Sequence, residues 1–251
     1  FYIAAQFQGA GSAFSAAFDF SLNTSMLLGA FIIMLYTLMG GFWAVSVTDT
    51  LQGCLMAFAA ILMPIAALLQ VGGVSGFLTG LSEVSSVDQL SFSSGNAGLL
   101  AIGLALGGMS IGFGTYGQPH LLIRFMALRD KKSLEQARLI TIFWYALVFF
   151  GMYFLGLVGH VLHPMTDNPE NIFFLLTDSL FSTVLGAVLL ATVLSAIMST
   201  ADSQLLVAAS AIAHDLRAGG GSISVLFVSR VSIVILVFTS LALATLVPQQ
   251  I

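Results

Sequence analysis

The sequence predicts an all-α integral membrane protein. Hydrophobic residues make up 58% of the 251 residues and charged residues only 7%, whereas a soluble domain carries roughly 25% charged residues. Several apolar windows exceed the roughly 18 residues that a helix needs to cross a bilayer core of about 30 Å. These windows are continuous and not alternating, which disfavours a β-barrel. We therefore expect a lipid bilayer around the chain and no nucleic acid bound to it.

Seven candidate spans form a single transmembrane domain. They cover residues 1–17, 24–39, 44–71, 99–124, 136–161, 180–215 and 224–247. The first span reads as the end of a helix already under way, because the chain opens without Met, a basic segment or a cleavage site. We therefore expect an internal fragment of a longer protein.

The second and third spans are separated by Gly40 and Gly41, which predict a tight turn. Pro64 predicts a kink inside the third span. Residues 72–97 are rich in Gly and Ser and predict a long polar loop before the fourth span.

The fourth span is unusually rich in glycine, with LALGGMSIGFGTYGQPH at residues 104–120. Glycine weakens a helix and Pro119 removes a backbone donor, so we expect a discontinuous span. A broken helix exposes backbone groups near the bilayer midplane, where a substrate can bind. Close packing of small residues between helices is the alternative, and it stays open.

The last three spans complete the domain, with a loop from His160 to Asp178 before the sixth. The distribution of charged residues predicts the orientation of this domain in the membrane, because Lys and Arg concentrate on the cytoplasmic side. One side collects all seven basic residues: Arg124, Arg129, Lys131, Lys132, Arg138, Arg217 and Arg230. The other collects acidic residues: Asp19, Glu83, Asp88, Asp167, Glu170 and Asp178. We expect a multi-pass protein of the plasma membrane, with Gly40 on the cytoplasmic side.

The sixth span contains a polar stripe in TVLSAIMSTADSQLLVAAS, residues 192–210. At about 100° per residue, Ser195, Asp202 and Ser203 fall within about 60° of Ser199 on one helix face. Lipid does not solvate such a stripe, and an ionisable group there indicates a functional site. No Lys or Arg lies where it could reach Asp202, so a bound cation or a proton is what remains.

Hydroxyl and carboxylate oxygens are the ligands that hard cations prefer. Asp49, near the start of the third span, adds a second acid. The alternative, also open, is that the hydroxyls bond back to carbonyls of their own helix and hold helices together.

Three long segments resemble the sodium/solute symporter family, most closely its sodium/proline branch. They are GGFWAVSVTDTLQG at Gly40–Gly53, GFGTYGQPHLLIRFMALRD at Gly112–Asp130 and LSAIMSTADSQLLVAASAIAHDL at Leu194–Leu216. The resemblance implies a partial inverted-repeat helix bundle like that of the bacterial leucine transporter. On that pattern the chain covers the end of core helix three through core helix nine.

The resemblance also implies which residues bind the expected cofactor, a sodium ion. The principal site is shared in the family between the first broken core helix and core helix eight, and its helix-eight half would be the carbonyl of Ala196 with the hydroxyls of Ser199 and Thr200. A further site would combine Ser199, Asp202 and Ser203 with Asp49. Asp202 differs from family members that carry a hydroxyl residue at this position.

The expected transported partner is a small organic solute, moved by alternating access. Proline or a related amino acid fits best, and pantothenate, acetate or sugar would suit other branches. Tyr2 matches an aromatic position on core helix three, but Ile111 and Thr115 replace aromatic residues of the proline transporters. The candidate pocket residues are Tyr2, Gln6, Thr115, Tyr116 and Gln118.

Two other classes are weaker. Asp49 and Asp202 could form the acid pair of an intramembrane aspartyl protease. Their local sequences are TD and AD, however, whereas the aspartates of those enzymes lie in YD and GxGD motifs. We therefore expect that the protein is not an enzyme. A passive channel would need no coupling, and uptake against a gradient would exclude it. The oligomeric state is not indicated by the sequence.

Overall fold

The computed structural model describes residues 1–86, 88–91, 93, 95–166, 168–215 and 224–246, without the side chains of Ile111 and Tyr116. All regular secondary structure in these ranges is helical, which confirms the fold class. The helices are α1 Tyr2–Phe18, α2 Leu22–Gln70, α3 Gly73–Val84, α4 Leu99–Tyr116, α5 Pro119–Met126, α6 Lys131–Leu162, α7 Ile172–Leu180, α8 Thr183–Asp215 and α9 Val225–Leu246, with a 3-10 turn at Pro169–Asn171.

Within the described ranges, four helices are long and apolar enough to cross a membrane, or five spans if α4 and α5 count as one bent span. The four are α2, α6, α8 and α9. Two residues of the predicted charge pattern, Asp167 and Arg217, lie outside the described part of the chain.

Helix α2 runs through both the second and the third candidate span. The predicted turn at Gly40 and Gly41 is instead a break within one long helix, where Gly41 has φ 60° and ψ −170°. Such a positive φ is readily adopted only by glycine. Pro64 is accommodated inside the same helix.

Two predicted loops contain helices. The polar loop predicted at residues 72–97 begins with α3, Gly73–Val84, whose Phe77 is buried against Phe154 with ring centroids 5.2 Å apart. The loop predicted from His160 to Asp178 is largely replaced by the end of α6, the 3-10 turn and α7. Tertiary packing of a few apolar side chains overrides the Gly- and Ser-rich composition here.

The glycine-rich span is discontinuous, as expected, and its break lies at Gly117 and Gln118, after most of its glycines. Helix α4 continues through the glycines as far as Tyr116, and the chain bends by 45° between Leu99–Thr115 and Pro119–Met126. Pro119 opens α5, where its missing N–H would have no helical partner in any case. The proline therefore determines the break more than the glycines do.

The chain divides into two compact units. Unit 1 comprises Phe1–Ala59 and Ser182–Ile251, and unit 2 comprises Ala60–Phe181. In unit 1, α1, α8 and α9 pack against one another, and α2 contributes Met26, Ala30 and Ile33 to their apolar core. In unit 2, α3 and α7 pack on α6.

Helix α6 begins where the sequence provides a cap. The Asp130 carboxylate accepts a hydrogen bond from the Ser133 backbone N–H at 2.8 Å. The hydrogen bonds from Ser133 lower the pKa of Asp130. The capped helix then extends for 32 residues to Leu162.

Candidate cation site

The polar stripe predicted on the sixth span lies on one uninterrupted helix, α8. Asp202 has no exposed surface, and Ser203 and Ser195 are buried with it. Ser199 and Thr200 are half-buried. The stripe therefore faces protein, which matches the expectation that lipid cannot solvate it.

Two of its hydroxyls bond to their own helix, as the alternative interpretation of the sequence predicted. Thr200 Oγ1 donates to the Ala196 carbonyl at 2.9 Å, and Ser203 Oγ lies 2.7 Å from the Ser199 carbonyl. A hydroxyl that donates its hydrogen keeps its lone pairs as acceptors, and a carbonyl oxygen has a second lone pair. These bonds therefore orient the oxygens without removing their capacity to bind a cation.

Asp202 is the charged centre of this stripe. Its Oδ2 accepts a hydrogen bond from the Tyr36 hydroxyl at 2.7 Å, and its Oδ1 lies 3.1 Å from Ser203 Oγ. Within the described ranges, no ion pair joins Asp202 to Lys or Arg. A buried carboxylate without a basic partner is costly, unless a cation or a proton compensates it.

Asp49 lies on α2 beyond the break at Gly41. It is half-buried, and its charge acts on both Asp202 and the Tyr36 hydroxyl. One turn further on, the amide oxygen of Gln52 is buried and has no hydrogen-bond partner among the described residues. A buried acceptor oxygen about one helical turn from a carboxylate is the kind of ligand that a hard cation such as sodium prefers.

The predicted pocket residues divide between the two units. Tyr2 is exposed and Gln6 is half-buried on α1, in unit 1. Thr115 and Gln118 are half-buried on either side of the α4–α5 bend, in unit 2. The Tyr116 side chain lies outside the described part of the structure.

Two polar residues of unit 1 were missed by the sequence analysis. Tyr36 bonds to Asp202, and Gln8 is buried and donates from Nε2 to the Ala244 carbonyl at 2.8 Å. The signal available was a polar side chain inside an apolar run, which led to Gln6 on α1 and Asp49 on α2 but not to Gln8 or Tyr36. Their partners depend on helix packing, which the sequence does not display.

Known proteins resemble this chain along almost its whole length. The model of the sodium:solute symporter family matches residues 1–250. A sodium/proline symporter of Staphylococcus aureus is 32% identical over 97% of this chain, and one of strain USA300 is 36% identical over 85% of it. The chain covers 49% and 41% of those proteins, so it spans less than half the length of these curated relatives.

A solved structure supports the fold. It is the substrate-bound, outward-open state of a sodium-coupled sialic acid symporter, whose description includes a novel sodium site. The TM-score is 0.72 at 18% identity, covering 98% of this chain and 58% of that one. At this identity the likeness concerns the fold alone.

The family match decides several expectations from the sequence. The family is one of multi-pass membrane transporters, typically of the plasma membrane, and not of enzymes, which sets aside the aspartyl protease. Sodium is a co-substrate in such a family and not a bound cofactor, which corrects the expectation from the sequence. The chain belongs to the sodium:solute symporter family.

Proposed function

We propose that the protein containing this chain couples the inward movement of sodium to uptake of a small organic solute, with proline or a related amino acid as the favoured solute. The observation that carries the proposal is the Asp202 carboxylate, which is fully buried and forms no ion pair with Lys or Arg among the residues that the structure describes. In a sodium:solute symporter, a sodium ion is the natural counter-charge.

The ligands that we propose lie on α8 and α2. One sodium ion would bind, on the α8 side of its site, the Ala196 carbonyl with the hydroxyls of Ser199 and Thr200. A further ion would bind Ser199, Asp202 and Ser203 together with Asp49. The half-buried position of Ser199 between the two groups supports its role in both.

Sodium bound to these groups would hold α8 against the part of α2 that carries Asp49. We propose that this arrangement favours the outward-open state, which the solute then closes. Coupling requires that sodium and the solute each bind the two states with different affinity, because otherwise neither shifts the equilibrium.

The solute is inferred from two sources. The Staphylococcus aureus relatives at 32% and 36% identity are sodium/proline symporters. The resemblance to the family supplies the candidate solute-binding residues, whose side chains are polar as a small zwitterion requires: Tyr2, Gln6, Thr115, Tyr116 and Gln118. Pantothenate, acetate and sugars are the solutes that the test must compare.

The direct test is uptake by the full-length protein in proteoliposomes with an imposed sodium gradient. Radiolabelled proline, other amino acids, pantothenate, acetate and a sugar are offered in turn. We expect proline to accumulate above its external concentration only while the sodium gradient lasts. Accumulation without sodium, or equilibration without accumulation, would contradict the coupling and would favour another ion or a channel.

The principal ligands are tested by paired substitutions on α8. Thr200→Val and Ser199→Ala should each raise the half-saturating sodium concentration about tenfold, the order of one lost interaction with a charged group, while maximal uptake changes little. Thr192→Val is the matched control, because Thr192 also donates to its own helix, to the Leu189 carbonyl at 2.6 Å. If Thr192→Val and Thr200→Val behave alike, these hydroxyls only hold helices together.

A further inference from the structure

Tyr36 connects two helices at the centre of unit 1. Its hydroxyl is 2.7 Å from Asp202 Oδ2 and 3.0 Å from the Met198 carbonyl. Both acceptors are on α8, four residues apart, whereas Tyr36 is on α2 five residues before Gly41. A phenol has one hydrogen, so it donates to only one of the two acceptors at a time. The charged carboxylate is the stronger acceptor.

The other contact of the carboxylate is local. Asp202 Oδ1 lies 3.1 Å from the hydroxyl of Ser203, its neighbour on the same helix. Ser203 also lies 2.7 Å from the Ser199 carbonyl, so its single hydrogen has a second possible acceptor. Ser203 therefore cannot fix the carboxylate relative to another helix, and Tyr36 can.

We propose that Tyr36 is a positioning residue, whose hydroxyl orients the Asp202 carboxylate for the sodium ion. With Oδ2 held by Tyr36, Oδ1 remains beside the Ser203 hydroxyl, 3.1 Å away. The inference rests on the proposed function, since it concerns the same sodium ion. Tyr36 itself need not contact that ion.

Removal of the hydroxyl leaves the ring in place, so Tyr36→Phe isolates the effect of one donor. Without this donor the carboxylate is free to rotate, and sodium must order it on binding. The expected result in the full-length protein is a rise of about tenfold in the half-saturating sodium concentration. Maximal uptake should stay within about twofold, because the solute pocket and the helix packing are retained.

Tyr153→Phe is the matched control, since Tyr153 is 63% exposed on α6. It should leave the sodium dependence unchanged. A structural role for Tyr36 would instead lower the amount of folded transporter and its maximal uptake, with the half-saturating sodium concentration unaltered. That second pattern would overturn the inference.

A double-mutant cycle shows whether Tyr36 acts through Asp202. In an Asp202→Ser background, adding Tyr36→Phe should change the half-saturating sodium concentration by less than about twofold, because the carboxylate to be positioned is absent. Equal effects of Tyr36→Phe in both backgrounds would overturn the inference. If Tyr36→Phe accumulates only when combined with Asp202→Ser, the hydroxyl is required because of the carboxylate, as the inference expects, whereas failure to accumulate in both backgrounds would overturn it.

Failure of this inference differs from failure of the proposed function. If wild-type uptake does not depend on sodium, the proposed function is wrong, and the inference falls with it. If wild-type uptake depends on sodium and Tyr36→Phe matches the wild type, the inference alone is wrong.

Discussion

At the scale of single residues, the buried carboxylate of Asp202 and the half-buried carboxylate of Asp49 are the main charged groups on the facing parts of α8 and α2. The Tyr36 hydroxyl stabilises Asp202 by hydrogen bonding but does not neutralise its charge. Asp49 acts on Asp202 with a second negative charge. Two like charges in a poorly solvated region repel each other, and a cation between them reverses that repulsion. The pair is therefore better suited to holding a cation than to forming part of an apolar core.

Neutralising one of the two charges should weaken sodium binding. We expect Asp49→Asn to raise the half-saturating sodium concentration about tenfold or more, because the amide keeps the shape of the carboxylate and loses its charge. The measurement is solute uptake as a function of external sodium concentration. Asn in place of Asp also tests whether charge, and not only an acceptor oxygen, is required.

Asp19→Asn is the control for this prediction. Asp19 ends α1 with φ 56°, a left-handed conformation that Asn also tolerates. The substitution removes one negative charge without touching the candidate site, so sodium dependence should be unchanged. Similar effects of Asp19→Asn and Asp49→Asn would show that general surface charge is being measured, and not a site.

The polar stripe could be predicted from the sequence because it is a property of one helix. A spacing of about 100° per residue is enough to place Ser199, Asp202 and Ser203 on one face. Tyr36 could not be assigned in this way, because its position against Asp202 depends on how α2 packs on α8. The contribution of Asp49 to the sodium site stays a prediction for the same reason.

At the scale of elements, Gly41 determines how α2 is divided. Its φ of 60° and ψ of −170° interrupt a helix that extends from Leu22 to Gln70. Tyr36 lies on one side of the interruption and Asp49 on the other. The two segments can therefore present both groups to α8 at an angle that a straight helix would not allow.

Gly41→Ala should destabilise the protein by about 1–3 kcal/mol, the cost of a sparsely populated backbone conformation. A Cβ at this position would meet nothing within 4 Å, so steric crowding adds no cost. The measurement is the unfolding transition of the purified protein in detergent.

Gly103→Ala is the matched control. Gly103 lies inside α4, and an added Cβ would also meet nothing within 4 Å. Alanine is favoured over glycine in a helix by roughly 0.5–1 kcal/mol, so this substitution should raise stability. Equal shifts of the two variants in the same direction would contradict the role assigned to Gly41.

The remaining elements show where composition misleads. The glycines of α4 predicted a break, but the break occurs before Pro119. Glycine lowers helix propensity without preventing a helix. The segment 73–84 resembled a loop for the same reason, yet burial of Phe77 in unit 2 supports a helix there. Local propensity is a weak guide wherever a few apolar contacts can outweigh it.

At the scale of the whole molecule, composition was sufficient for the fold class. With 7% charged residues, the chain cannot be solvated as a soluble domain, and long apolar helices satisfy their own backbone in lipid. The division into two units could not be predicted, because the boundary at residues 59 and 60 falls inside the uninterrupted part of α2. No change in sequence pattern marks that point.

The charge pattern assigns each end of α6 to a different side of the membrane. The helix has 32 residues, or about 48 Å at 1.5 Å per residue, which exceeds a bilayer core of about 30 Å. Arg129, Lys131, Lys132 and Arg138 are at or near its beginning, and no Lys or Arg follows until well beyond its end. The beginning is therefore expected in the cytoplasm.

Single cysteines at the two ends of α6 test this orientation. Cys54 is the one cysteine of the chain, so Cys54→Ser provides the background for Lys132→Cys and Met165→Cys. Both target positions are exposed, Met165 at 95%. A membrane-impermeant maleimide added to intact cells should label Met165→Cys and leave Lys132→Cys unlabelled, and inside-out vesicles should reverse the result. Labelling of Lys132→Cys from outside would invert the whole topology, because all seven basic residues were assigned to one side together.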